Sequence, residues 1–141
     1  GSGGDTGADK TLMIDLWAAC KAVDYAKRHD IKHFIMVSLI GADSPSDGPS
    51  EMQPYLVAKH MADEHLIYSG VPHTILRPGT LVNDDANNGF TSKRPDNKKD
   101  AKITRADVAS ALAYIAKQTV SDNRITELFN GDKSLDTIFA K

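Results

Sequence analysis

The chain has 141 residues, 40% of them hydrophobic and 26% charged, with a formal net charge of −2. That is enough for one ordinary domain with its own core, and the charge balance offers no basic face for nucleic acid or an anionic membrane. No apolar run is long enough to span a bilayer and no signal peptide is recognisable, so a cytoplasmic protein is expected.

The first residues, GSGGDTGADKT, imitate two phosphate-binding loops. Gly1, Gly4 and Gly7 have GxxGxxG spacing, and Gly4 through Thr11 falls one residue short of a GxxxxGK[ST] loop. Both motifs need a buried strand before the first glycine, and the second would put Asp9 where an anion should sit. The stretch therefore reads as a Gly-rich loop leading into a helix. From about 10 to 29 the spacing is helical, with Met13, Leu16, Trp17, Cys20 and Val23 as the expected buried stripe. Asp24 and Arg28 are placed to pair across one turn. Cys20 is the only cysteine and reads as a packing residue; no Cys/His cluster has the spacing of a metal site.

HFIMVS, His33 to Ser38, is too short for a helix and suits a strand buried on both faces of a parallel sheet. Gly41 to Gly48 is turn-rich. A second helix is expected over roughly 51 to 69, with Ser50 and Gln53 as a capping box, Pro54 in its first turn and Gly70 as its stop. HTILRP, His73 to Pro78, reads as a second strand ended by proline. Asn83 to Lys102 is polar and Lys-rich, a mobile surface loop or small excursion, and Asp84, Asp85, Asn87 and Asn88 lack the spacing of a calcium loop. Thr104 is placed to cap a third helix, about 105 to 117, followed by a strand over 125–130, a turn at Gly131 and a short closing helix.

Helix, strand, helix, strand, helix, strand, helix predicts an α/β fold: a parallel, Rossmann-like sheet wound with helices, with 1–141 as a single domain. Such a sheet normally opens on a strand. This chain opens on a loop and a helix, so it reads as the C-terminal part of the fold, without the N-terminal βαβ units. That reading leaves an unpaired sheet edge and an exposed apolar face.

One constellation carries chemistry. Tyr55 and Lys59 are four residues apart on the second helix, so both project from one flank. Ser38 ends the preceding strand, and ligands of open parallel sheets bind beyond the carboxyl ends of the strands. A free tyrosine has a pKa of ~10 and is a poor acid or base at neutral pH; a neighbouring ammonium lowers that value. A tuned tyrosine can give a proton to a carbonyl oxygen or take one from an alcohol, while a serine hydroxyl holds the substrate oxygen. Read alone, YxxxK also arises by chance, and Lys59 would then be an ordinary solvated residue.

FIMVS, YLVAKHMADE, HTILRPGTL and ITRADVASAL, in this order and spacing, resemble the atypical branch of the short-chain dehydrogenase/reductase family, and within it the NmrA-like group. The resemblance implies a Rossmann fold and NAD or NADP as cofactor. It implies catalytic roles for Ser38, Tyr55 and Lys59, with Lys59 also binding the nicotinamide ribose. It implies that the backbone of Pro78, Gly79 and Thr80 lines the nicotinamide. The larger family often has an asparagine where this chain has Asp15, which departs from a full proton relay. The glycine fingerprint of relatives belongs to a first strand–helix turn upstream of anything present here.

The implied partner is a small carbonyl or alcohol, transformed by hydride transfer. Two other readings stand beside the oxidoreductase: a non-catalytic NAD(P)-binding redox sensor, and an inactive incomplete domain lacking the phosphate site. A homodimer covering the open edge accompanies the last.

Overall fold

The computed structural model describes residues 6–118 and 121–140. Gly1 and Gly4 of the two imitated loops lie outside them, whereas Gly7 opens the first helix with φ +77°. That helical stretch comprises α1 (Gly7–Lys10), a π-helical segment (Thr11–Ala18) and α2 (Ala19–Arg28). Then come β1 (Phe34–Val37), α3 (Gln53–Ser69), β2 (His73–Pro78), β3 (Thr80–Val82), β4 (Phe90–Thr91), β5 (Lys102–Thr104), α4 (Arg105–Ala116), β6 (Arg124–Asn130) and α5 (Leu135–Ile138).

The main sheet has the order β1-β2-β6-β4; β1, β2 and β6 are parallel and β4 is antiparallel to β6. β3 and β5 form a separate parallel pair. Alternate residues of the central strands point to opposite layers. Met36 and Ile75 pack with Val23, Ala26, Ala62 and Leu66 under α2 and α3. Leu76 and Leu128 pack with Ile103, Val108, Ala111, Ile115 and Phe139 under α4 and α5. The sheet is thus covered on both faces by helices, the α/β Rossmann-like arrangement expected.

Several local expectations are corrected. Of the expected stripe Met13, Leu16, Trp17, Cys20 and Val23, Val23 is fully buried and Leu16 and Cys20 are partly so, but Met13 and Trp17 are 52% and 53% exposed. The side facing the interior carries Asp15, Ala19, Val23 and Ala26, whose small members allow close approach to the sheet and α3. Asp24 pairs with His65 at 2.7 Å rather than with Arg28. The Ser50/Gln53 box does not form, because a 3-10 turn occupies Ser50–Met52 and Gln53 Nε2 donates instead to the carbonyls of Ser46 and Gly48. β1 is half-buried rather than covered on both faces, as it edges the sheet among the described residues.

The polar stretch 83–102 is tied down. Asn87 N–H and Asn88 N–H donate to Asp107, and Arg94 makes a two-pronged bond to Glu127 and approaches Asp43. Gly70 ends α3 in the left-handed region, φ +78°, where a glycine has no Cβ penalty. Thr104 caps α4 by accepting from Asp107 N–H. Among the described residues no helix is long and apolar enough to cross a membrane.

Candidate active site at the carboxyl end of the sheet

α3 sets Tyr55, Lys59 and Asp63 at four-residue steps, so the three form a ladder along one flank. Pro54 is accommodated in the helix's first turn, where its missing N–H costs nothing. Lys59 Nζ donates to the carbonyl of Val37, the last residue of β1, at 3.0 Å. It lies 3.9 Å from Asp15 Oδ1 and 5.7 Å from the centre of the Tyr55 ring. The structure therefore brings Tyr55 and Lys59 together at the end of β1.

Ser38 behaves differently. It is 4% exposed, and its hydroxyl donates to Asp63 Oδ2 at 2.7 Å. Arg77 donates to the same oxygen through Nη2 at 3.0 Å and Nε at 3.2 Å. Asp63 is fully buried, and its other oxygen has no hydrogen-bond partner among the described residues. Ser38, expected to hold a substrate oxygen, here donates its hydroxyl proton to a buried carboxylate. Asp63 and Arg77 were missed in the sequence. The available signal was a charge inside the apolar strand HTILRP, which needs a buried partner, and a carboxylate one turn beyond Lys59 on an apolar face.

Electrostatics depart from the simple lysine–tyrosine picture too. Burial pushes the Tyr55 phenol above its ordinary value, and the Asp15 carboxylate pushes it further the same way. Burial pushes Lys59 down, against the opposing pull of Asp15 and Asp63. Burial also raises Asp63, against its bonds from Ser38 and Arg77. Tyr55 is therefore shifted opposite to the expected lowering by Lys59, first by burial and then by Asp15.

Of the RPG segment, the backbone is turned inward. The Pro78 carbonyl accepts from Ile40 N–H, Gly79 N–H donates to Leu128 and Thr80 N–H to Ala101. Thr80 is exposed, whereas Pro78 and Gly79 are buried. The histidines serve separate places: His60 bonds the Ala42 carbonyl, His65 bonds Asp24 and His73 bonds the Val71 carbonyl.

A cleft of about 210 Å³ opens beside Lys59, lined by Asp15, Ile14 and the length of β1. An ammonium carries three donors, and Val37 takes one, so Lys59 retains capacity for hydroxyls such as those of a nicotinamide ribose. Tyr55 stands beside it half-buried. These groups fit the nicotinamide end of a dinucleotide. No glycine-rich strand–helix turn for the pyrophosphate occurs among the described residues.

Residues 1–119 match the family described as NAD(P)H-binding. A Bacillus subtilis protein described as an uncharacterized sugar epimerase is 42% identical over 132 residues, which are 94% of this chain and 61% of that protein. Sanguinarine reductase of Eschscholzia californica is 33% identical over 122 residues, 82% of this chain and 45% of the enzyme. Among solved structures, a putative NAD-dependent epimerase/dehydratase from Bacillus halodurans superposes with a TM-score of 0.89 at 41% identity, over 98% of this chain and 64% of the other. The chain belongs to the NAD(P)H-binding domain family, with the Rossmann-like fold of the atypical short-chain dehydrogenases/reductases. Its cofactor class is NAD(P), within a family of oxidoreductase- and epimerase-like proteins. It spans about three fifths of the length of the first relatives it matches.

Proposed function

We propose that the protein acts as an NAD(P)-dependent oxidoreductase of the atypical short-chain dehydrogenase/reductase type, in the NmrA-like group, on a small carbonyl or alcohol. The observation that carries this reading is the Tyr55–Lys59 pair at the carboxyl end of β1, with Lys59 fixed by the Val37 carbonyl. The cofactor supplies or accepts the hydride. Tyr55 supplies the proton to the carbonyl oxygen, or removes it from the alcohol. Lys59 holds the ribose hydroxyls and orients Tyr55. Ser38 fastens Asp63 behind them, and Thr80 is exposed at the start of β3.

The experiment is reduction of a carbonyl panel by the full-length protein with NADH and NADPH. General acid catalysis contributes ~10²–10⁴-fold, so Tyr55→Phe is expected to lose at least ~100-fold in turnover with cofactor binding retained. Equal turnover by both proteins removes Tyr55 from the mechanism.

A second reading, a non-catalytic NAD(P)-binding redox sensor, draws support from the commitment of Ser38 to Asp63 and the raised Tyr55. Calorimetry with oxidised and reduced cofactor separates the two. Strong preference for one redox state without turnover favours the sensor.

A further inference from the structure

α3 meets the sheet through small and aliphatic side chains. Leu56, Ala58, Ala62 and Leu66 are buried along it, and Ala62 and Leu66 pack with Met36 of β1 and Ile75 of β2. Apolar contact is non-directional, and two alanines offer little to interlock, so this face alone lets the helix settle at more than one height along the strands. Directional bonds remove that freedom. Lys59 Nζ donates to the Val37 carbonyl at 3.0 Å. One turn further on, Asp63 Oδ2 accepts from the hydroxyl of the next strand residue, Ser38, at 2.7 Å. The helix is thus pinned to consecutive residues of the β1 end. The same carboxylate oxygen accepts from Arg77 Nη2 at 3.0 Å and Nε at 3.2 Å. Arg77 follows Leu76, whose carbonyl accepts from Ser38 N–H at 2.7 Å. Asp63 therefore bridges β1 and β2 where their carboxyl ends join. Ser38, Asp63 and Arg77 are all buried, and salt screens a buried pair little.

We propose that Ser38, Asp63 and Arg77 form a registering triad, which fixes the height of α3 over the ends of β1 and β2 and so sets where Lys59 meets the nicotinamide ribose; the ribose half of this rests on the NAD(P) site proposed above. All three are positioning residues. Ser38 reaches the cofactor only by way of Asp63 and α3, in place of the substrate contact that its position at a strand end suggests. Without the Ser38 bond, the Asp63 carboxylate follows Arg77 alone and α3 shifts with it. Lys59, one turn away, then divides its ammonium less well between the Val37 carbonyl and the ribose hydroxyls. A serine that held the substrate oxygen would leave cofactor affinity untouched, since no substrate is present when the cofactor binds alone.

The test is calorimetry of NADP binding to the full-length protein, with no carbonyl compound present. Ser38→Ala is expected to raise Kd about 10-fold, the lower end of what a hydrogen bond to a charged group contributes. In a Lys59→Met background the same substitution is expected to change nothing, because the residue it acts through is gone. Val23→Ala thins the same core without touching the triad, and should lower Tm while leaving Kd at the wild-type value. If circular dichroism shows that Ser38→Ala does not fold, Ser38→Cys, a weaker donor, takes its place. An unchanged Kd in Ser38→Ala, an equal rise with and without Lys59, or a matching rise in Val23→Ala overturns the proposal. The expected pattern of Kd values in a protein that turns over no carbonyl supports the registering role and overturns the oxidoreductase reading instead.

Discussion

Asp107 collects four donors: Asn87 N–H, Asn88 N–H, the Thr104 hydroxyl and Asn130 Nδ2, at 2.7–3.0 Å. Burial alone would raise its carboxyl, and these bonds outweigh burial and hold it below its ordinary value. The folded state therefore releases this proton more readily than the unfolded chain. The resulting stability is present above the unfolded value of ~3.9 and is lost as pH falls through the folded one. Asp107→Asn is expected to destabilise at neutral pH by about 2 kcal/mol, since buried donors lose their acceptor. Its denaturant midpoint should decline less on acidification than the wild type's. An unchanged midpoint at pH 7 would contradict the role given to Asp107. This cluster was not legible in the sequence, because Asn87, Asn130 and Asp107 come together only through the fold. Tyr55 and Lys59 were legible, since a four-residue step on a helix places two side chains on one flank whatever surrounds them. The direction of Tyr55's shift was not, because it depends first on burial and then on Asp15, both set by packing between elements.

At the scale of elements, legibility follows how local the cause is. HTILRP is a strand from His73 to Pro78, as its apolar run and terminal proline predict. Gly70 stops α3 by its left-handed backbone, and Thr104 starts α4 by a bond made within its own turn. Helical spacing around Trp17 revealed a helix but only part of its buried face: Val23 lies there as expected, joined by Asp15 and Ala19 rather than Met13 and Trp17. The π-helical segment has no residue signature, and it centres on the buried Asp15. β3 and β5 are three-residue strands joined across the polar excursion, too short for a period to show. Their meeting point depends on Gly79. A Cβ there would lie 2.6 Å from the Ala101 carbonyl oxygen and 2.7 Å from the Phe129 ring. Gly79→Ala is expected to cost about 1–3 kcal/mol by overpacking and to loosen the excursion that begins at Thr80. Thermal denaturation measures the first effect and proteolysis between 83 and 101 the second. An unshifted Tm would show that the Ala101 backbone yields without strain.

For the whole molecule, alternation of helices and strands made the doubly covered parallel sheet legible, and the order β1-β2-β6 with helices on both faces bears that out. Among the described residues β1 edges the sheet, and Leu12, Met13, Ile14 and Trp17 are exposed. The position of the site follows from this architecture: β1 delivers Val37, α3 returns Lys59 and Tyr55 above it, and the π-helical segment supplies Asp15. The proposed function requires this corner to receive the nicotinamide end of NAD(P). A crystal structure of the full-length protein with NADP tests it most directly. Lys59 Nζ is expected within hydrogen-bond reach, ~2.6–3.2 Å, of the nicotinamide ribose, with the Tyr55 hydroxyl beside the ring. A nicotinamide bound away from the end of β1, with Lys59 still held only by Val37 and Asp15, would contradict it.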